Sequence, residues 1–90
     1  MESGEFEVTN HYYLEKRGGF VIGRIQRGIF KIGITVPIAE DGTSLTISGI
    51  ECIDDVKTKM FANAIIFKEK PTLDYVKKMF PVGSVLRAYK

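Results

Sequence analysis

Apolar and polar residues alternate with a period of two along most of the chain. Phe6, Val8, Tyr12 and Leu14 share one parity, interrupted by Asn10, while Glu5, Glu7, Thr9, His11, Tyr13 and Glu15 hold the other. Side chains alternate across a strand, so this pattern predicts a half-buried strand with a wet outer face and with Tyr12 on the core side. Gly18-Gly19 breaks it, and Phe20 to Ile25 follows as a second strand, apolar on both parities up to Gly23 and therefore central. After a break at Arg27-Gly28, a short segment from Ile29 to Ile32 ends at Gly33. Thr35 to Ala39 reads as a strand carrying Pro37, which cannot donate to a ladder and so predicts an edge or a bulge. Asp41-Gly42 is a hairpin signal, Ser44 to Ile53 a long strand bulged or bent at Gly49, Asp54-Asp55 a connection, and Lys59 to Lys68 the returning strand.

One segment departs from the period. From Thr72 to Phe80 the apolar residues Leu73, Val76, Met79 and Phe80 fall at helical spacing, with Thr72 as N-cap behind Pro71 and with Pro81 and Gly83 as the stop. This predicts a helical turn or two under a barrel mouth, before a last strand from Val85 to Tyr89. Short strands at regular spacing with one helical crossover point to an all-β fold, a small closed β-barrel with one short helical turn.

Length and charge refine this picture. Ninety residues, 44% hydrophobic and 27% charged, make a single ordered domain over 1–90, with 1–4 expected to be a flexible leader. The net charge of +2 carries no message by itself, but Glu2, Glu5 and Glu7 load the amino end with acid and Lys16, Arg17, Arg24, Arg27 and Lys31 make the next stretch basic. Cys52 is the only cysteine; within an apolar run it reads as a small buried hydrophobe in a reducing compartment. With no apolar signal core and no apolar run near the roughly 20 residues that a membrane helix needs, the expected location is cytoplasmic and away from membranes.

Candidate chemistry is thin. Gly18 and Gly23 have the separation of the two glycines of a phosphate-binding loop, but Arg24 and Ile25 stand where that loop needs Lys and then Ser or Thr, so GTP binding and hydrolysis are not expected of this chain. One His and one Cys cannot make a zinc site, and a dyad of Cys52 and His11 lacks an orienting motif. Adjacent Asp54 and Asp55 point opposite ways along a strand and read as a turn. The chain is not expected to be an enzyme or to carry a cofactor or a metal.

The run Gly18-Gly-Phe-Val-Ile-Gly-Arg-Ile-Gln-Arg-Gly-Ile-Phe-Lys-Ile-Gly33 resembles the signature of the second domain of translation GTPases, the elongation factor Tu domain 2-like family, approximately G-x-V-V-x-G-R-V-x-x-G-x-I-K-x-G. Ser48-Gly-Ile-Glu51, Asn63-Ala-Ile-Ile-Phe67 and Pro81-Val-Gly-Ser-Val-Leu86 are similar to later elements of that family, in order, so the resemblance spans roughly Phe6 to Ala88. It implies a translation-protein barrel that packs on a GTPase domain and contacts the aminoacylated end of transfer RNA or ribosomal RNA and protein. Carried over by position, Glu51 matches an acid near the terminal adenosine, Asn63 an asparagine beside the aminoacyl pocket, and Tyr12 an aromatic residue there. The pocket's acidic pair is replaced by Thr9 and Asn10, the acid before Asn63 by Ala62, and no GTPase domain is present. The reading is therefore a stand-alone, translation-factor-like binding module contacting RNA or a ribosome-associated protein through Tyr12, Arg17, Arg24, Arg27, Lys31, Glu51 and Asn63. The alternative is a protein–protein or homo-oligomerisation module on the same barrel.

Overall fold

The computed structural model describes residues 2–38, 42–55 and 60–89. Six strands close into a barrel around one short helix: β1 (Glu2–Leu14), β2 (Gly18–Gly28), β3 (Thr35–Pro37), β4 (Ser44–Asp55), β5 (Met60–Phe67), α1 (Leu73–Met79) and β6 (Val85–Tyr89). The ring runs β1-β2-β5-β4-β3-β6 and every neighbouring pair is antiparallel. Closure removes the unpaired edges that an open sheet of these strands would expose.

Three neighbouring pairs, β1–β2, β3–β4 and β4–β5, are consecutive in sequence, which leaves two crossings to cap the two mouths. Residues 29–34 carry the chain from β2 to β3 across one mouth and bury Phe30 and Ile34 there. The helix carries it from β5 to β6 across the other. It forms because Thr72 accepts from the Tyr75 N–H as an N-cap and because Val76 sits on its inward side. Val76 is fully buried and Phe80 stacks on Phe67 at 5.8 Å between ring centroids. Phe6, Val8, Val21, Val36, Ile47, Ile65 and Leu86 fill the interior between the two caps.

Several expectations change. The bulge at Thr9, between the pairs Val8–Gly23 and Asn10–Ile22, inserts one residue and inverts the parity of the rest of β1. Tyr12 and Leu14 are therefore half exposed on the outer face instead of lying in the core. The turn of the first hairpin is formed by residues 15–17, closed by the Arg17 N–H on the Leu14 carbonyl, and Gly18 already belongs to β2. The segment Ile29 to Ile32 is a connection without strand pairing. Asp54 and Asp55 continue β4 opposite Phe61 and Met60 and do not form a turn. Cys52 is exposed, because β4 outruns the barrel interior at this end. The leader expected over 1–4 is paired from Glu2 onward, with the Ser3 hydroxyl donating to the Ile29 carbonyl at 2.5 Å. Pro37 lies on no edge, since β3 is enclosed between β4 and β6; its nitrogen turns toward β6, with which β3 pairs only at Thr35–Tyr89. The β3–β4 hairpin is present, and β4 bulges at Ser48, one residue before the expected Gly49, which pairs with Ile66. Met1, Ala39, Asp41 and Lys59, where some of the expected boundaries fall, lie outside the described residues.

Candidate binding surface

Two short-range rules build the first hairpin. A positive φ of 80° at Gly28 ends β2, where a side chain would meet the Ser3 backbone. At Gly23 the β1 backbone comes so close that a Cβ would overlap the Glu7 carbonyl oxygen. The whole of β2 runs 11 residues, from Gly18 to Gly28, at roughly 3.3 Å each. That is nearly the 35 Å length of the whole molecule. Arg17 and Arg27 consequently stand at opposite ends, and the expected basic cluster is divided.

The first group is Tyr12, Arg17 and Glu51. Tyr12 is 51% exposed and stacks on Phe20, with 6.2 Å between centroids. Phe20, Ile22, Ala62, Ala64 and Ile66 form a second apolar cluster on the outer face of β2 and β5. The hairpin turn reaches over this face, and an Arg17 Nη1–Glu51 Oε2 ion pair of 2.5 Å fastens it to β4. Glu51 is thus the anchor of the hairpin, through a partner in the turn that no local pattern around Glu51 marks. Asn63, facing Gly23 and Cys52 across its neighbours, is half-buried on the inward side of β5 and stands apart from this group.

The second group lies toward the other end. Arg24 is opposite Glu7 and Arg27 opposite Glu5 in the β1–β2 register. Glu5 takes both the Arg27 Nε at 3.4 Å and the Arg87 Nε at 3.2 Å, a charge ladder across the outer faces of β2, β1 and β6. Lys31 is exposed on the crossing connection. Ile29, Ile32 and Phe61 are also exposed at this end, Ile32 at 70% and Phe61 at 73%.

The hairpin end collects residues that the sequence did not single out together. Tyr13 is 50% exposed on the face opposite Tyr12. The segment 68–72 packs along the start of β2, where the Gly19 N–H donates to the Pro71 carbonyl, and this brings Lys70 against Gly18, next to the turn that carries Lys16 and Arg17. Their separation by some fifty positions hides the grouping until β5 is placed next to β2. His11 joins the hairpin to the helix: its Nε2–H donates to the Phe80 carbonyl at 2.5 Å. That bond and the inward Val76 hold the hairpin and α1 as one surface. Among the described residues no helix is long and apolar enough to cross a membrane. No family model, no curated protein and no solved structure matches this chain.

Proposed function

We propose that this chain is a translation-factor-like barrel that contacts single-stranded RNA or a ribonucleoprotein surface with its hairpin end. The observation that carries the reading is the pair Tyr12 and Tyr13, half exposed on opposite faces of a hairpin whose tip holds Lys16 and Arg17 and abuts Lys70. Aromatic rings offer stacking surface to bases, and lysine and arginine beside them neutralise the phosphates. The closed antiparallel barrel and the close approach at Gly23 support a translation-factor-like scaffold.

A salt titration of labelled oligoribonucleotide binding tests it. Binding is expected at low salt, falling linearly in log–log form as salt rises. Tyr12→Ala and Tyr13→Ala should each cost about 1–3 kcal/mol of affinity. Lys16→Ala with Lys70→Ala should flatten the salt slope by about 2. Arg24→Ala with Arg27→Ala, at the other end, should change binding far less. No measurable affinity at low salt would remove the reading.

The apolar residues Ile29, Ile32 and Phe61 favour a second reading, in which the opposite end associates with another protein or another copy of the chain. Sedimentation distinguishes it: a strictly monomeric chain without a partner in pull-downs argues against it.

A further inference from the structure

We propose that Glu51 restrains RNA binding at the hairpin end: it holds the Arg17 guanidinium in the free chain, and the phosphate beside a base stacked on Tyr12 must displace it. The inference rests on the RNA reading above and adds to it a competition of two anions for one cation.

The register puts the competing groups on one face. Glu51 stands opposite Ala64 in the β4–β5 pairing, and Ala64 belongs to the outer apolar cluster with Phe20. Directly opposed residues share a face, so the Glu51 carboxylate lies on the outer side with Tyr12, whose ring stacks on Phe20. β5 lies between β2 and β4 in the ring, so the Arg17–Glu51 bond bridges the outer face of β5. Leu14, on the same side of β1 as Tyr12, lies about 7 Å further along, and its carbonyl accepts the Arg17 N–H in the turn. A strand whose base stacks on Tyr12 therefore brings its backbone to a cation that already holds a carboxylate.

The pair is built to exchange. Its side chains are 40% and 45% exposed, so a phosphate can reach the guanidinium. An exposed ion pair is weak and screened by salt. The planar fork of arginine fits phosphate as well as carboxylate, so the same group serves either anion. Until it is displaced, Glu51 occupies the cation and repels the incoming phosphate.

The test is a cycle of four chains, the parent, Arg17→Ala, Glu51→Gln and the double variant, each titrated at low salt with a fluorescently labelled single-stranded oligouridylate. Glu51→Gln should tighten binding about fivefold. Arg17→Ala should change the parent by less than about twofold, because the phosphate contact that it removes is offset by the ion pair that no longer has to break. In the Glu51→Gln chain the same Arg17→Ala change should cost about tenfold. Equal gains from Glu51→Gln with and without Arg17 overturn the proposal, since the acid then acts only as a nearby charge. A loss of affinity in Glu51→Gln also overturns it and makes the carboxylate a contact to the RNA. If Glu51→Gln does not keep the folded spectrum of the parent, Glu51→Ser takes its place in the cycle. No binding by any of the four chains removes the RNA reading itself, whereas binding by the parent with an additive cycle removes only the restraint.

Discussion

At the scale of single residues, space decides more than side-chain chemistry. A Cβ at Gly23 would overlap the Glu7 carbonyl oxygen and press on the Phe6 ring, so β1 would have to move away from β2. Gly23→Ala is expected to cost about 3 kcal/mol, read as a lower urea midpoint at an unchanged slope. Gly49 is the contrast. A Cβ there meets only Ile66 at 3.7 Å, an ordinary contact, and Gly49→Ala should be close to neutral. Equal effects at the two positions would mean that the β1–β2 approach is looser than described. Charge acts more weakly. Arg17 and Glu51 are 40% and 45% exposed, so a double-mutant cycle of Arg17→Ala and Glu51→Ala should give a coupling below about 1 kcal/mol. The consequence of breaking that pair is local: Phe20 and Ile66 should become more accessible beneath a released hairpin.

At the scale of elements, capping and register explain both what the sequence shows and what it conceals. The helix was legible because Thr72, Pro71 and the spacing of Leu73, Val76 and Met79 all act within a few residues. Thr72→Ala should cost about 1 kcal/mol of stability, measured by thermal or urea unfolding. The β3–β4 pairing was legible for the same local reason, and the β4 bulge was legible to within one residue, at Ser48 beside Gly49. The outward turn of Tyr12 was not. It follows from a bulge at Thr9 that is fixed by pairing with β2, and the β1 residues alone carry no mark of it. Cys52 was misplaced because exposure depends on how far β4 outruns the barrel, which no local pattern records. The split of the basic residues was concealed because Arg27-Gly28 and Gly18-Gly19 look like similar breaks, although they stand at the two ends of a single strand of 11 residues.

A long-range link at this scale also sets a pH dependence. Glu69, in the connection before α1, accepts the Thr46 N–H of β4 at 2.7 Å. Burial pushes its carboxyl up, but hydrogen bonds from the Thr46 and Glu69 N–H groups and the Thr46 hydroxyl, with Lys68 nearby, outweigh this and hold it below the ordinary 4.5. The folded chain then binds this proton less readily than the unfolded chain. Its contribution to stability is complete above pH 4.5 and fades as pH falls through the lowered value. Glu69→Gln should be less stable than the parent at neutral pH, and the gap should close in acid. A gap of constant size across the acid range would show that Glu69 is not the titrating group.

At the scale of the whole molecule, the barrel depends on joining its two extremes. β6 pairs with β1 across most of the chain length, Glu5 with Arg87 and Phe6 with Leu86, and it also contributes Leu86 and Ala88 to the core. Such distant pairing forms only after most of the entropy of closure has been spent, so the fold should be all-or-none. Removing residues 85–89 should abolish the cooperative transition. The same pairing predicts that the order of the strands in the chain is dispensable. Glu2 faces Tyr89 in antiparallel register, so a linker of about four residues can join the two as a hairpin. New ends placed between Ile32 and Gly33, both exposed on the crossing connection, cut no strand. This circular permutant should unfold in one cooperative step, with stability within about 2 kcal/mol of the parent. It should keep the contact between the His11 ring and the Phe80 carbonyl and the exposed pair Tyr12 and Tyr13, because neither depends on where the chain starts. A permutant that unfolds without cooperativity, while the parent unfolds in a single step, would contradict the Glu2–Tyr89 register and with it the closure of the barrel.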